Sequence, residues 1–275
     1  MTSVKRTVQA ILGNFGLEVR RKQVREKTKL ETLLGQYQVD MVFDVGANIG
    51  QYGPWFRWIG FDKTIVSFEP ISHLFEQLRQ NAKSDPKWLV EQVALGEKEG
   101  ACVINVSGGH GGASSLLTMT EHVVKNAPDQ AVIRQEEISV TTVEKMMKKY
   151  YPEGDRLFLK IDAQGYERNV IEGIGSELHR VIGLKVEMSL VENYRGEVLL
   201  RDMLPFLEQR GFHLVEFENG WSNEKTGEMY QVDGVFFRTD RPVGTDAGEN
   251  EKADALTPGR RREPAPLRAR DQKRS

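Results

Sequence analysis

Three short stretches carry the residue types that could do chemistry. "VFDVGANIGQYG" (42–53) places Asp44, Gly46, Asn48 and Gly50 where an apolar, β-type run turns into a helix. "TIVSFEP" (64–70) carries Glu69 at the end of a second such run, and "LFLKIDAQG" (157–165) carries Asp162 at the end of a third. Glycine lets a backbone come close to a ligand, and free N–H groups at a helix start favour negative charge. In an open α/β sheet, ligands sit beyond the carboxyl ends of the strands, where these three stretches end. The first turn is not the usual G-x-G-x-x-G of dinucleotide folds, because Gly46 and Gly50 are four apart with Asn48 between them.

The chemistry of the carboxylates narrows the ligand. Glu69 can accept two hydrogen bonds from a ribose 2′,3′-diol and disfavours a 2′-phosphate. Asp44 is badly placed beside a pyrophosphate and well placed for a ligand with an ammonium group. Turn and acid together select an adenosine-bearing ligand, and Asp44 favours S-adenosylmethionine over NAD. The plainer alternative is turn glycines and a surface carboxylate.

Methyl transfer from a sulfonium is an in-line displacement, in which a nucleophilic oxygen is brought to about 3 Å from the methyl carbon and loses its proton. Asp162, His110, Glu187 and Glu167 are the candidates for that proton. Asp162 is the best placed, at the end of a central strand, although an Asp there could equally cap the next helix. His110 lies in "SGGHGGASS", a glycine-rich stretch suited to a loop over the donor or to no role at all. Glu187, in "KVEMS", is set to bind a substrate hydroxyl or a metal, and Glu167 could simply favour a helix dipole. The five histidines have no paired spacing typical of zinc, and Asp162 with Glu187 would make only a weak oxygen site, so no metal is expected.

These residues need a scaffold, and residues 39–240 supply an alternation of strand-like and helix-like stretches. Strands are expected at 41–45, 64–68, 88–93, 101–106, 137–140, 157–161, 181–187, 212–217 and 232–238. Helices are expected at 51–59, 71–83, 119–127, 141–150, 166–174 and 196–210. Short apolar runs such as "MVFDV" and "LFLKI" suit strands covered on both faces, and the alternation predicts a doubly wound α/β sheet. Residues 1–38 read as a helical extension, with Val4, Val8, Ile11, Leu12 and Phe15 expected on one face. Its basic stretch, Arg20 to Lys27, is suited to solvent or, through residues 1–27, to peripheral contact with an anionic membrane. Residues 241–275, rich in Pro, Gly, Arg and acidic residues, read as a disordered tail.

Composition excludes several classes. The 275 residues carry a formal net charge of −2 and a single cysteine, Cys102, so neither a nucleic-acid-seeking surface nor a disulfide framework is expected. No apolar run is long enough to span a membrane and the N-terminus lacks a signal-peptide pattern, which makes the cytoplasm the expected location. There is no P-loop, no G-x-S-x-G elbow and no Pro-Pro pair of the kind amino-methylating enzymes use on bases.

"FDVGANIGQY" (43–52), "FEP" (68–70), "ALG" (94–96), "SSL" (114–116), "KIDAQGYE" (160–167), "VEMSL" (186–190) and "DGVFFR" (233–238) follow one another in an order and spacing that resembles the FkbM family of S-adenosylmethionine-dependent methyltransferases. The resemblance covers roughly residues 40–240. It implies a class I methyltransferase (Rossmann-like) α/β fold, with a seven-stranded, mostly parallel sheet whose last strand is antiparallel and helices on both faces. It also implies S-adenosyl-L-methionine as cofactor and O-methylation of a small-molecule or glycan hydroxyl. Asp44, Gly46, Asn48 and Gly50 match the donor turn, Glu69 and Pro70 the ribose-binding motif, and Ala94 the "ALG" motif. Asp162 matches the motif bordering the transfer site. Many members read D-x-E-G there, whereas this chain has Gln164, which removes one carboxylate. Two rivals stand beside this reading, an NAD-dependent oxidoreductase and a methyltransferase-like scaffold without activity. The acceptor surface is expected around 107–120, 189–197 and 218–230, with Trp221 and Tyr230 available to stack on a sugar ring.

Overall fold

The computed structural model describes residues 28–240. The basic amphipathic stretch with its membrane contact and the tail, expected in residues 1–27 and 241–275, lie outside the described residues. Helix α1 (Lys29–Gln36) starts where the Thr28 side chain accepts the Glu31 N–H at 3.0 Å, and it buries Leu30 and Leu34. A sheet of seven strands follows: β1 (Met41–Val45), β2 (Thr64–Phe68), β3 (Trp88–Glu91), β7 (Leu157–Ile161), β8 (Val181–Ser189), β9 (Phe212–Asn219) and β10 (Gln231–Arg238). Their spatial order is β3-β2-β1-β7-β8-β10-β9, and β10 runs antiparallel to both its neighbours while the rest run one way. All five residues of β1 and of β7 are buried, as expected of strands covered on both faces.

Helices cover both faces. Helix α2 (Tyr52–Trp58) and helix α3 (Ser72–Ala82) follow β1 and β2, and Phe56, Leu78 and Trp88 pack with Val42 and Ile65 on one face. On the other, helix α5 (Val143–Tyr150), helix α6 (Glu167–Glu172) and helix α7 (Leu200–Glu208) bury Met147, Val170 and Leu207 against Phe43, Leu159 and Leu184. Helix α4 (Glu121–Asn126) is short and lies outside these layers' main clusters. The strand order reverses between β1 and β7, so a crevice opens at their carboxyl ends, where Gly46 and Asp162 follow.

The sequence did not anticipate a second sheet. Strand β4 (Ala94–Leu95), strand β5 (Gly100–Ser107) and strand β6 (Val132–Thr141) form it in the order β4-β6-β5. Strand β6 begins five residues before the expected 137, because Val132 to Glu136 are exposed or half-buried and give no apolar alternation to read. This sheet buries Ile104, Val106 and Ile138 against Ile71 and Leu74 beside the crevice. No helix among the described residues is long and apolar enough to cross a membrane.

Candidate active site

The turn after β1 has a conformation that its residue types make affordable. Gly46 sits at φ +70°, and a Cβ there would lie 1.9 Å from the Asp162 carbonyl oxygen, so only glycine fits between β1 and β7. Its N–H and that of Ala47 both donate to the Phe68 carbonyl at 3.0 Å, tying the turn to the end of β2. Asn48 is also left-handed, at φ 51°, a conformation Asn adopts more readily than most residues. Its backbone N–H donates to Glu69 Oε2 at 2.9 Å, and its side chain donates to the His110 carbonyl at 3.1 Å.

Glu69 is buried under this turn, and its other oxygen accepts the Ile71 N–H at 2.9 Å. Burial outweighs these two hydrogen bonds and pushes its pKa up to about 7. Each carboxylate oxygen retains a lone pair for a ligand hydroxyl.

A cavity of about 360 Å³ opens here, lined by Gly46, Asn48, Glu69, Pro70 and Ala94 among others. Five of the seven residues expected to bind the donor therefore share one wall system. The remaining two stand behind it. Gly50 faces away: it sits at φ +92°, and a Cβ there would meet Leu78 of α3 and Trp88 of β3 at 2.6–2.9 Å, so this glycine lets the turn pack against them. Asp44 is fully buried below the turn, where its Oδ2 accepts the Ser67 hydroxyl at 3.0 Å and its Oδ1 lies 3.3 Å from Lys160 Nζ. Trp88 completes the chain by donating its indole N–H to Ser67 Oγ at 2.9 Å.

Lys160 is the residue that sequence reasoning passed over. It is buried on β7 between two carboxylates, with Asp162 Oδ2 at 3.5 Å on its far side, and its ammonium lies 4.4 Å from the Tyr52 ring centroid. Burial works against the charge, but Asp44 and Asp162 outweigh it and raise the Lys160 pKa. A signal was present: one lysine inside the apolar run "LFLKI" needs internal counter-ions once the strand is covered on both faces.

Asp162 stands at a junction. It lines the first cavity and also a second, of about 480 Å³, and Gly112 and Gln164 are shared in the same way. The Gln164 amide donates to Asp162 Oδ1 and to Glu187 Oε2, both at 2.7 Å, so the residue that departs from D-x-E-G links the two acids rather than adding a third. Tyr194 Oη lies 2.7 Å from Gln164 Oε1 and 3.0 Å from the Ala113 carbonyl, sharing its one proton between them. Gln231 Nε2 also donates to Glu187 Oε2, at 2.8 Å. Burial, followed by the charges of Asp162 and Glu167, holds Glu187 well above the usual carboxylate range.

The other expected residues separate by cavity. His110 and Glu187 line the second cavity and not the first, so the three proposed catalytic residues meet only there. Glu167 lines neither. It is buried, accepts the Ala163 and Gly165 N–H groups at 2.8 and 3.2 Å, and shapes the turn that aims Asp162. Trp221 lines the second cavity, whereas Tyr230 is buried edge-on against Trp221 and His122 and has no face to offer a sugar. Among the described residues no group of three His, Cys, Asp or Glu has a metal-holding arrangement.

Sheet order, reversed β10 and a ligand-sized crevice at the switch point define a class I methyltransferase fold. Residues 44–214, well over half of the chain, match the methyltransferase FkbM domain, and the chain belongs to that family. The match places it with methyltransferases rather than with nicotinamide-dependent oxidoreductases. Among solved structures, magnesium protoporphyrin IX methyltransferase from Synechocystis PCC 6803, with bound S-adenosylmethionine, is 8% identical with a TM-score of 0.41, covering 87% of this chain and 99% of that one. An rRNA methylase from Streptococcus thermophilus is 10% identical with a TM-score of 0.41, covering 79% and 99%. No curated protein matches the sequence.

Proposed function

We propose that the chain transfers a methyl group from S-adenosylmethionine to a hydroxyl of a sugar or secondary metabolite, with the donor in the first cavity and the acceptor in the second. The observation that carries this reading is the junction: two ligand-sized cavities share a single carboxylate, Asp162. The residues fit the donor. Glu69 offers a carboxyl to a ribose diol, and the turn at Gly46 has no Cβ to obstruct a ligand. Two carboxylates around one ammonium, Asp44 and Asp162 around Lys160, leave the far end net negative. That suits an ammonium and a sulfonium and repels a pyrophosphate, which argues against NAD. When bound, the donor supplies a methyl carbon made electrophilic by its sulfonium.

The chain's own residues do the rest. Asp162 receives the acceptor's hydroxyl proton, held in place by Lys160 on one side and the Gln164 amide on the other. Glu187, oriented by the Gln164 and Gln231 amides that donate to its Oε2, lines the second cavity and can hydrogen-bond the acceptor's hydroxyls. The His110 loop closes over the donor turn through Asn48.

Calorimetric titration with S-adenosylhomocysteine tests the donor half. Binding is expected, and Glu69→Ala should weaken it about tenfold to a hundredfold, the value of hydrogen bonds to a charged group. Unchanged affinity in that variant would overturn the assignment.

A further inference from the structure

The second cavity has a charge character that the donor site does not require. Its lining includes Asp129, Asp162 and Glu187 and, among the described residues, neither a lysine nor an arginine. The buried Lys160 lines the other cavity and is already held between Asp44 and Asp162. Around these acids stand four carboxamides, from Gln130, Gln164, Asn193 and Gln231. Gln164 and Gln231 turn their amide donors toward Glu187. Asn193 is 1% exposed, yet its Oδ1 has no hydrogen-bond partner, an acceptor left unsatisfied in the cavity wall. Trp221 adds one broad apolar surface, braced edge-on by Tyr230 with ring centroids 4.9 Å apart.

Such a wall is rich in acceptors and amide groups and poor in cations. An anionic acceptor would have to shed water beside carboxyl groups with no positive charge to replace it, and that is costly. A polyol meets the opposite situation, because its hydroxyls both donate to carboxylates and carboxamide oxygens and accept from amide N–H groups. From this we propose that the acceptor is a polyol without negative charge, a neutral or amine-bearing sugar, and that phosphorylated sugars, uronic acids and nucleic acid are excluded. The inference rests on the reading of the second cavity as the acceptor site.

Saturation-transfer NMR on the full chain, with S-adenosylhomocysteine present, tests it with methyl glucoside, glucosamine, glucuronate and glucose 6-phosphate as probes. The first two should bind at least about tenfold more tightly than the two anions, the effect of one uncompensated like charge at short range. Equal or tighter binding of either anion overturns the proposal, as does failure of all four probes on donor-loaded protein. Failure of S-adenosylhomocysteine itself would instead bring down the donor reading, and calorimetry separates the two outcomes. A charge swap supplies the second arm. Gln130→Lys should raise glucuronate affinity several-fold, with retained S-adenosylhomocysteine binding showing that the variant is folded. No gain for the anion would overturn charge as the cause.

Discussion

At the scale of single residues, the site is governed by how each carboxyl is compensated. Asp44 and Asp162 share one buried ammonium, Glu69 has only backbone N–H partners, and Glu187 has only amides. The sequence located all four acids at strand ends but gave no means of ranking them, because compensation depends on neighbours distant in the chain. Glu69 yields the sharpest consequence. With its pKa pushed up to about 7 by burial, it is mostly protonated below that pH and mostly ionised above it. A ribose diol needs the ionised acceptor, so S-adenosylhomocysteine affinity should rise about tenfold from pH 6 to pH 8. Titrations across that range check this, and Glu69→Gln should flatten the dependence.

Elements act by holding these residues at fixed separations. Strands β1 and β7 are joined across the switch point by the Asp44–Lys160 pair at 3.3 Å, with both side chains buried. Removing one partner leaves a buried charge uncompensated, so Lys160→Met should cost about 3–5 kcal/mol in chemical denaturation, and adding Asp44→Asn should restore part of it. Helix α2 is seated by glycine. A Cβ on Gly53 would lie 2.3 Å from the Trp88 ring, and no positive φ is involved, so the conflict is purely one of packing. Gly53→Ala should destabilise the fold by about 1–3 kcal/mol, lowering the calorimetric melting temperature by about 2–4 °C per kcal/mol. Gly46 and Gly50 are the two glycines that the sequence assigns to the ligand turn. Of these, Gly46 lines the first cavity, whereas Gly50, like Gly53, stands against Trp88.

For the whole molecule, two sheets of unequal burial meet at one crevice. Strands β1, β7 and β8 are almost wholly buried, whereas the first four residues of β5 and of β6 are exposed. Backbone hydrogen bonds in the first group open only with global unfolding, while those in the second open locally. Hydrogen exchange should therefore be slowest in Met41–Val45, Leu157–Ile161 and Val181–Ser189 and markedly faster in Gly100–Val103. Uniform protection across both sheets would contradict this division. The smaller sheet also walls the first cavity through Ala94, Leu95 and Ile104, so donor bound there should slow exchange in β4 and in the inner half of β5.

What the sequence determined by itself is local in origin. Apolar runs, turn glycines and strand-end acids announced the alternating α/β fold and the left-handed turn after β1, because each depends on residues within a few positions of one another. The tertiary structure decided everything that depends on which distant segments become neighbours. It put Lys160 between Asp44 and Asp162, turned Gly50 toward Trp88, and paired the polar strand β6 into a second sheet. It also assembled the second cavity from His110, Gln164, Glu187, Asn193, Trp221 and Gln231. Strand order and loop packing set those distances, and no spacing along the chain encodes them.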